Sequence, residues 1–391
     1  MFYYLSFLRP PPRTVEIGTP ISITPQIGND LRTELFEHPQ DIFFSWSLES
    51  PIKTLNADNS PVTLTLLTPR KLTRWRHLNA YKQISIPSPP NIRNGQKYRL
   101  ILTASEGGSA VINLVGNPCG VSPFPVISMP ITFTSPSQHA LTSGKQEQVE
   151  RIYVISTPIG NEIPLIVRER TSFDLDKKVW DSGIGLSSWI VSLLTPKEGQ
   201  EELPICAQLR EVLFLNPSVN IVELGAGTGI VSLTLGALRF AQLGATCGGC
   251  ILTSDLASAM PLLEDNIALN ERHFPSQRAR PHAVVLDWDD EQLPSDVLDV
   301  HDGFDVVVMA DVTYNTESFP SLVRTLKDVM EVGEPSPSNR PQFLLMGYKE
   351  RHPDERTLWQ MTHAIGLNLE RVGQRVGHGG APVEIWSCRR R

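Results

Sequence analysis

The fold is decided by residues 219–233, which read Val-Asn-Ile-Val-Glu-Leu-Gly-Ala-Gly-Thr-Gly-Ile-Val-Ser-Leu. An apolar strand runs here into a glycine-rich turn, and the turn leads into a helix. This order is how an α/β sheet brings bare backbone close to a nucleotide-like ligand at the start of a helix. Taken alone, the glycine pattern fits a tight structural turn as well as a ligand-binding loop.

The spacing of the glycines separates two classes of ligand. The dinucleotide fingerprint Gly-x-Gly-x-x-Gly needs its third glycine at position 230, but Ile230 stands there and the glycine comes one residue earlier, at Gly229. A pyrophosphate also seeks a helix N-terminus free of negative charge, whereas Glu223 lies two residues before the first glycine. An acidic strand end suits a cationic ligand without phosphate. S-adenosylmethionine, which carries a sulfonium and an ammonium, fits that description.

Length, charge and cysteine content narrow the classes of function. The 391 residues are enough for two or three domains, and a net charge of −7 without a long basic block argues against nucleic acid as the main partner. The five cysteines are few and scattered, which suits a reducing compartment. No apolar run reaches the length of a membrane span. We therefore expect a cytoplasmic monomer without a membrane partner, with the nucleus as a second compartment.

Proline and short apolar runs mark residues 1–136 as an all-β domain. Of the 32 prolines, 17 fall in this part, which alternates strand candidates with turns of Pro, Gly, Asn and Ser. About seven strands at such spacing predict a small sandwich or barrel. The candidates are Ile21–Pro25, Ile42–Leu48, Val62–Leu67, Gln83–Ile86, Tyr98–Ala104, Ala110–Val115 and Val126–Thr134.

A basic stretch lies within this domain. Residues 70–77 read Arg-Lys-Leu-Thr-Arg-Trp-Arg-His, and basic residues interleaved with an aromatic could hold an acidic partner or RNA. We favour a solvated loop or helical turn with one buried tryptophan, because basic faces are common on such domains.

Residues 137–150 are polar and without periodicity, so we place a linker there and a second domain at residues 151–391. From residue 219 onward strands and helices alternate, which argues for a parallel sheet covered on both faces. The last two of seven strands form a hairpin, so the sheet closes with a reversed strand. This is the Rossmann-like α/β layout of class I methyltransferases. The predicted strands are Ile221–Leu224, Cys250–Ser254, His282–Leu286, Asp305–Ala310, Gln342–Tyr348, Asn368–Val376 and Val383–Cys388, and the helices between them are Gly229–Leu243, Ala257–Asn270, Ser318–Val332 and Asp354–Ile365.

Ligands bind such sheets at the carboxyl ends of the strands, so the residues there are candidate site residues. Asp255 follows the second strand, where its carboxylate could take both hydroxyls of an adenosine ribose or could cap the next helix. Trp288 follows the third strand, where an indole could lie against an adenine or belong to the core. With the first and fourth strands, the candidates for the cofactor are Glu223, Gly225, Gly227, Gly229, Asp255, Trp288 and Ala310.

The second informative stretch is residues 305–314, Asp-Val-Val-Val-Met-Ala-Asp-Val-Thr-Tyr. It places the carboxylate of Asp311 and the phenol of Tyr314 just beyond the fourth strand. Methyl transfer needs an uncharged amine, oriented by acceptors in an apolar slot. Asp311 and the Ala310 carbonyl could orient that amine while Tyr314 excludes water. The alternative is that Asp311 and Thr313 cap the helix that follows.

Five motifs together resemble methyltransferase family 16, the seven-strand protein lysine methyltransferases. They are 179–181 (Val-Trp-Asp), 222–229, 253–256 with 262–270, 286–288 (Leu-Asp-Trp) and 310–314 (Ala-Asp-Val-Thr-Tyr). The resemblance covers about residues 150–388, and residues 1–136 lie outside it. It implies that Trp180, Gly225, Gly227, Asp255, Trp288 and Ala310 contact S-adenosylmethionine, and that Asp311 and Tyr314 are the Asp-x-x-Tyr pair at the target lysine.

We therefore expect an enzyme that transfers a methyl group from S-adenosylmethionine to the ε-amine of a lysine in a protein substrate. One alternative is methylation of a small-molecule amine, such as a nicotinamide-like ring nitrogen. The other is a scaffold that binds the cofactor without catalysis.

Overall fold

The computed structural model describes residues 1–49, 67–115, 119–135, 144–158, 160–172, 174–195, 202–276, 278–333 and 341–390. The chain divides into two compact units. The N-terminal unit holds most residues up to Asp174, and the C-terminal unit holds most residues from Leu175 onward.

The N-terminal unit is built from two β-sheets. In the described part of the chain, β1, β3 and β6 form a three-stranded sheet, and nine strands form a second sheet along the path β12-β11-β9-β7-β10-β2, with β4, β5 and β8 joined at its sides. One core contains Ile23 of the first sheet together with Phe44, Trp46 and Leu100 of the second, as in a sandwich. The strands are β1 (Tyr4–Arg9), β2 (Thr14–Glu16), β3 (Ile21–Gly28), β4 (Gln40–Leu48), β5 (Arg70–Trp75), β6 (Ile84–Ile86), β7 (Lys97–Thr103), β8 (Val111–Asn113), β9 (Val126–Ser128), β10 (Ile131–Thr134), β11 (Gln148–Ser156) and β12 (Glu162–Arg170).

Several strands of this unit differ from their predicted form. The stretch predicted as Val126–Thr134 is two strands, separated at Met129 and Pro130, because proline cannot donate to the ladder. The basic stretch is the strand β5 and not a loop, although its Trp75 is buried as expected. The strand predicted at Val62–Leu67 lies outside the described residues except for Leu67.

The boundary between the units comes later than the predicted linker. Strand β11 begins at Gln148, inside the predicted linker, and pairs with β8 and β9 of the N-terminal sheet. Residues 137–143 of that linker are outside the described part. The sequence of β11 and β12 is typical of a hairpin. The strands that pair with β11 could not be predicted, because they lie more than 20 residues away along the chain.

The C-terminal unit contains a seven-stranded sheet in the order β15-β14-β13-β16-β17-β19-β18. Strands β13 to β17 pair in parallel, and β19 runs antiparallel to both of its neighbours. The predicted α/β fold with an antiparallel last strand is confirmed. The strands are β13 (Ile221–Leu224), β14 (Ile251–Asp255), β15 (Pro281–Val285), β16 (Val306–Ala310), β17 (Gln342–Tyr348), β18 (Glu370–Arg375) and β19 (Val383–Arg390).

Helices surround this sheet and bury its apolar strands. Helix α1 packs against α3 and β19, and α6 supplies Leu322 and Leu326 to a core that also contains Val307 and Leu344 of the sheet. None of the described helices is long and apolar enough to cross a membrane. The helices are α1 (Asp181–Leu194), α2 (Pro204–Leu215), α3 (Ile230–Leu243), α4 (Met260–Leu269), α5 (Ser295–Leu298), α6 (Phe319–Met330) and α7 (Thr357–Ala364).

Candidate active site

The glycine loop between β13 and α3 needs its glycines for two reasons. Gly225, Gly227 and Gly229 all have left-handed backbones, with φ of 69°, 54° and 80°. A Cβ at Gly225 would lie 2.8 Å from Cγ1 of Val312, and a Cβ at Gly229 would lie 2.6 Å from Cδ1 of Leu263. A Cβ at Gly227 would meet no atom closer than 3.7 Å. The two ends of the loop are therefore packed tightly, whereas a Cβ at Gly227 would be in ordinary van der Waals contact with the carbonyl oxygens of Asp176 and Lys178.

Asp255 lies beside this loop because β13 and β14 are in parallel register, with Leu224 opposite Ser254. Its carboxylate accepts hydrogen bonds from the backbone N–H groups of Gly227, at 2.6 Å, and Leu256, at 2.7 Å. Burial raises the pKa of Asp255. A carboxylate has about four acceptor positions, so two remain for hydroxyl groups. Asp255 does not cap α4, since that helix begins five residues later, at Met260.

Glu223 supports the glycine loop from the interior. The side chain is 1 % exposed, and one oxygen accepts hydrogen bonds from the backbone N–H of Ser232, at 3.1 Å, and from the Ser232 hydroxyl. The hydroxyl of Thr253 donates to the same oxygen at 3.3 Å. Burial raises the pKa of Glu223 to about 7. Direct contact between this carboxylate and a ligand stays a prediction; the observed contacts tie the first turn of α3 to the sheet.

Two aromatic residues lie near the glycine loop and Asp255. The ring of Trp288 comes within 3.3 Å of the position that a Cβ on Gly225 would take, so this half-buried indole lies against the loop. Tyr314 is 57 % exposed. Partial burial of its phenol, and then the negative charges of Asp255 and Asp176, raise the pKa of Tyr314. The phenol of Tyr314 thus shares an electrostatic environment with Asp255.

Asp311 follows β16 in a left-handed backbone conformation, with φ of 60°, which is uncommon for a residue with a side chain. Its N–H donates to the carbonyl of Gly347 at 3.2 Å. Its carboxylate accepts a hydrogen bond from Nη2 of Arg351 at 2.5 Å. Asp311 is not a helix cap, because the side chain of Asn315 caps the next turn by accepting from the N–H of Glu317.

Trp180 and Ala310 lie at the same edge of the sheet. The guanidinium carbon of Arg351 is 5.3 Å from the centroid of the Trp180 ring, so Arg351 contacts both Trp180 and Asp311. The indole N–H of Trp180 donates to the carbonyl of Leu175 at 2.8 Å and fixes the ring. Ala310 is the last residue of β16 and is half-buried. The predicted residues therefore all belong to the C-terminal unit.

A group of charged residues that follows β17 was not predicted from the sequence. Arg351 pairs with Asp311, and Lys349 pairs with Asp181 of α1 at 2.8 Å, with both partners of the second pair buried. These residues could have been predicted from their position, because they follow the carboxyl end of a strand just as Asp255 and Asp311 do. The described residues contain no cluster of His, Cys, Asp and Glu suited to a metal ion.

Comparison with known proteins adds a family match. A family model described as lysine methyltransferase matches residues 160–364, about half of the chain. EEF1A lysine methyltransferase 3 of Xenopus tropicalis is 29% identical over 125 residues, which is 32% of this chain and 47% of the relative. Protein-lysine N-methyltransferase EFM6 of Saccharomyces cerevisiae is 30% identical over 180 residues, which is 45% of this chain and 68% of the relative.

The similarity does not extend along whole proteins. The chain spans about half the length of the EEF1A lysine methyltransferases 3 of Xenopus tropicalis and Mus musculus, at 47% and 56%. Among solved structures, magnesium protoporphyrin IX methyltransferase from Synechocystis is 14% identical with a TM-score of 0.31, covering 50% of this chain and 90% of that one.

Proposed function

This chain belongs to the lysine methyltransferase family, and we propose that it transfers a methyl group from S-adenosylmethionine to the ε-amine of a lysine in another protein. One observation carries the proposal. The glycine loop, Asp255 and the Asp311/Tyr314 pair lie at the carboxyl ends of adjacent strands, inside the part of the chain that the family model matches.

The residues at the glycine loop fit S-adenosylmethionine better than a dinucleotide. The three glycines leave the loop without side chains, so a ligand can approach its backbone closely. Asp255 brings a negative charge to within 2.6 Å of the Gly227 N–H, where a pyrophosphate would be repelled. When bound, S-adenosylmethionine supplies a methyl group on a positively charged sulfur.

Backbone, carboxylate and aromatic groups would hold the donor. Gly225, Gly227 and Gly229 would allow close approach of the backbone, and Asp255 would accept hydrogen bonds from the ribose hydroxyls. Trp288 would contact the adenine, as its position beside Gly225 supports. Trp180 and Ala310 would also contact the donor, and Glu223 would contribute through the helix that it anchors.

The acceptor amine is oriented next to the donor. Asp311 and the carbonyl of Ala310 accept its hydrogen bonds, and Tyr314 walls the slot and excludes water. Excluding water matters because an ordered, desolvated amine reacts faster than one that must first shed its hydration shell.

We also propose where the reaction takes place and with which partners. We assign catalysis to the C-terminal unit of a monomer that acts on a protein substrate in the cytoplasm and the nucleus, with neither nucleic acid nor membrane as a partner. Since two relatives are named for EEF1A, that protein is the first substrate to test.

The test uses tritiated S-adenosylmethionine and an extract of cells that lack this protein. We expect the wild type to label lysine in protein, and Asp311→Ala to lose that label while S-adenosylhomocysteine still binds in calorimetry. Asp299→Asn, which changes an exposed carboxylate next to α5, is the control and keeps the label. Label only in small molecules would contradict the protein substrate, and no label despite tight binding would contradict the enzyme.

A further inference from the structure

The carboxylate of Asp311 creates a problem for methyl transfer to lysine. A lysine side chain has a pKa of about 10.4, and only its uncharged amine is a nucleophile. A lone buried carboxylate favours the ammonium form, because opposite charges attract strongly where water is excluded. Acting alone, Asp311 would bind the substrate well and hold it in its unreactive form.

Arg351 supplies a compensating positive charge at Asp311. The two side chains form an ion pair at 2.5 Å, and they are 14 % and 4 % exposed. The guanidinium carbon also lies over the ring of Trp180, 5.3 Å from the ring centroid. A guanidinium that contacts both a carboxylate and an aromatic ring is held in position more firmly than a flexible surface arginine.

Other charged groups lie close to Arg351. Asp181, at the start of α1, and Lys349, after β17, form a second buried ion pair. Glu355, in the turn before α7, accepts the backbone N–H of Arg351 at 3.2 Å and adds a negative charge. Loss of Arg351 would remove the positive charge that its ion pair brings to Asp311.

The charges that face Tyr314 also leave the site negative. Asp255, at the end of β14, and Asp176, in the turn before α1, both raise the pKa of the Tyr314 phenol. Asp176 accepts a hydrogen bond from the hydroxyl of Ser258 at 2.8 Å, and Asp255 accepts only backbone N–H groups among its described bonds. The phenol of Tyr314 therefore faces two carboxylates, and the ion pair with Arg351 brings a positive charge to Asp311.

We propose that Arg351 is a positioning residue that orients and neutralises Asp311, so that the target amine is held by a hydrogen-bond acceptor without being kept as an ammonium. The inference rests on the proposed methylation of lysine. The amine nitrogen gives up its proton to solvent, uses its lone pair to form the new N–C bond, and carries the positive charge afterwards. The bond between the donor sulfur and the methyl group would break in the same step, with its electron pair staying on sulfur, so that neutral S-adenosylhomocysteine is the leaving group. The Asp311–Arg351 pair lowers the free-energy cost of removing the proton from the amine.

The pH dependence of the rate tests the proposal. Initial rates of tritium transfer to the protein extract described above are measured from pH 6 to pH 10 for the wild type, Arg351→Gln and Arg351→Lys. We expect the half-maximal rate of Arg351→Gln to move up by roughly 1–3 pH units. Arg351→Lys keeps the positive charge and stays near the wild type. A rate that falls equally at every pH in Arg351→Gln would overturn the proposal.

A double variant separates the effect of the charge of Arg351 from the effect of its shape. Arg351→Gln/Asp311→Asn removes both charges, so its half-maximal pH is expected to return toward that of the wild type even though its rate is lower. If the double variant is too slow to measure, the profile of Arg351→Gln decides alone. Should Arg351→Gln fail to bind S-adenosylhomocysteine, Arg351→Met, which keeps an apolar stem against Trp180, takes its place.

The control is Arg210→Gln, which breaks the ion pair of Arg210 with Glu202 near α2 and removes the same charge from the same unit. We expect its profile to match the wild type, and an equal shift in this control would contradict a local effect of Arg351. If the wild type labels no lysine, the proposed function fails. If it labels lysine and Arg351→Gln shows no shift, only this inference fails.

Discussion

The two sides of the site are built differently. The donor side, defined as residues 225–229 with Asp255 and Trp288, is made largely of backbone and of hydrogen bonds between neighbouring strands. The acceptor side, defined as Asp311, Tyr314 and Arg351, is made of side chains from segments far apart in the chain, held by an ion pair and by the contact of Arg351 with Trp180. Affinity for the donor therefore depends on local shape, and reactivity of the acceptor on a balance of charges.

The largest effect is expected on the donor side, from Asp255→Ala. Loss of charged hydrogen bonds to two hydroxyls should weaken binding of S-adenosylhomocysteine roughly 100- to 1,000-fold. Isothermal titration calorimetry measures this directly. Asp265→Ala, on the exposed face of α4, is the control. Equal affinity of Asp255→Ala and wild type would remove Asp255 from the donor side.

Glu223 gives the donor side a pH-dependent stability. Its pKa rises from 4.5 to about 7 on folding, because burial penalises the charged form. The folded state then binds the proton more tightly, so stability is full below about pH 4.5 and is lost as the pH rises toward 7, by on the order of 3 kcal/mol. Glu223→Gln, which stays uncharged, should abolish that loss.

Urea unfolding at pH 5 and pH 8 measures the effect. Between the two pH values the stability of Glu223→Gln relative to the wild type should rise by roughly 2–3 kcal/mol. The variant is compared with the wild type at each pH because burial also lowers the pKa of His273 to about 4, which makes the folded state gain stability as the pH rises toward 6.5. Glu264→Gln, an exposed change on α4, is expected to follow the wild type. If the difference between Glu223→Gln and the wild type is the same at both pH values, the pKa of Glu223 is not raised in the fold.

A smaller effect, on stability, is expected from Gly225→Ala, and a matched variant separates steric contact from backbone strain at this glycine. Gly225→Ala places a Cβ 2.8 Å from Val312 in a left-handed conformation, whereas Gly366→Ala meets the same backbone strain with no atom within 4 Å. Strain alone costs roughly 1–2 kcal/mol, and we expect Gly225→Ala to lose about 1–3 kcal/mol more. Thermal unfolding compares the two variants, and equal losses would mean that Val312 moves freely.

The smallest effect is expected on the acceptor side, from Tyr314→Phe. The ring that excludes water remains and only the hydroxyl is lost, so kcat should fall by about 10-fold or less. Binding of S-adenosylhomocysteine should not change. Initial-rate kinetics at saturating cofactor measure the effect, and a loss as large as that of Asp311→Ala would show that the phenol itself takes part in the proton transfer.

The same contrast explains what the sequence could predict. Glycine spacing and strand ends are local, so the seven-stranded sheet was predicted to within a few residues and Gly225, Asp255 and Asp311 were placed at its edge. The contact between Asp311 and Arg351 joins residues 40 apart and depends on β16 and β17 being neighbours. The pairing of β11 with β8 was hidden for the same reason, as nothing near Gln148 in the sequence specifies its partner strand.

The structure was also needed to decide between the two roles considered for Asp255 and Asp311, which are contact with a ligand and capping of a helix. Asp255 and Asp311 both precede helical segments, and carboxylates in such positions are ordinary N-caps. Only the observed start of α4 at Met260 and the cap made by Asn315 show that neither carboxylate is used in this way.

Mass spectrometry of methyl-lysine tests the central claim most directly. Proteomes are compared from cells without this protein, and from the same cells supplied with the wild type or with Asp311→Ala. We predict that at least one lysine is methylated only when the wild type is present. If every methylated lysine is the same in all three proteomes, the account of this chain as a protein lysine methyltransferase is contradicted.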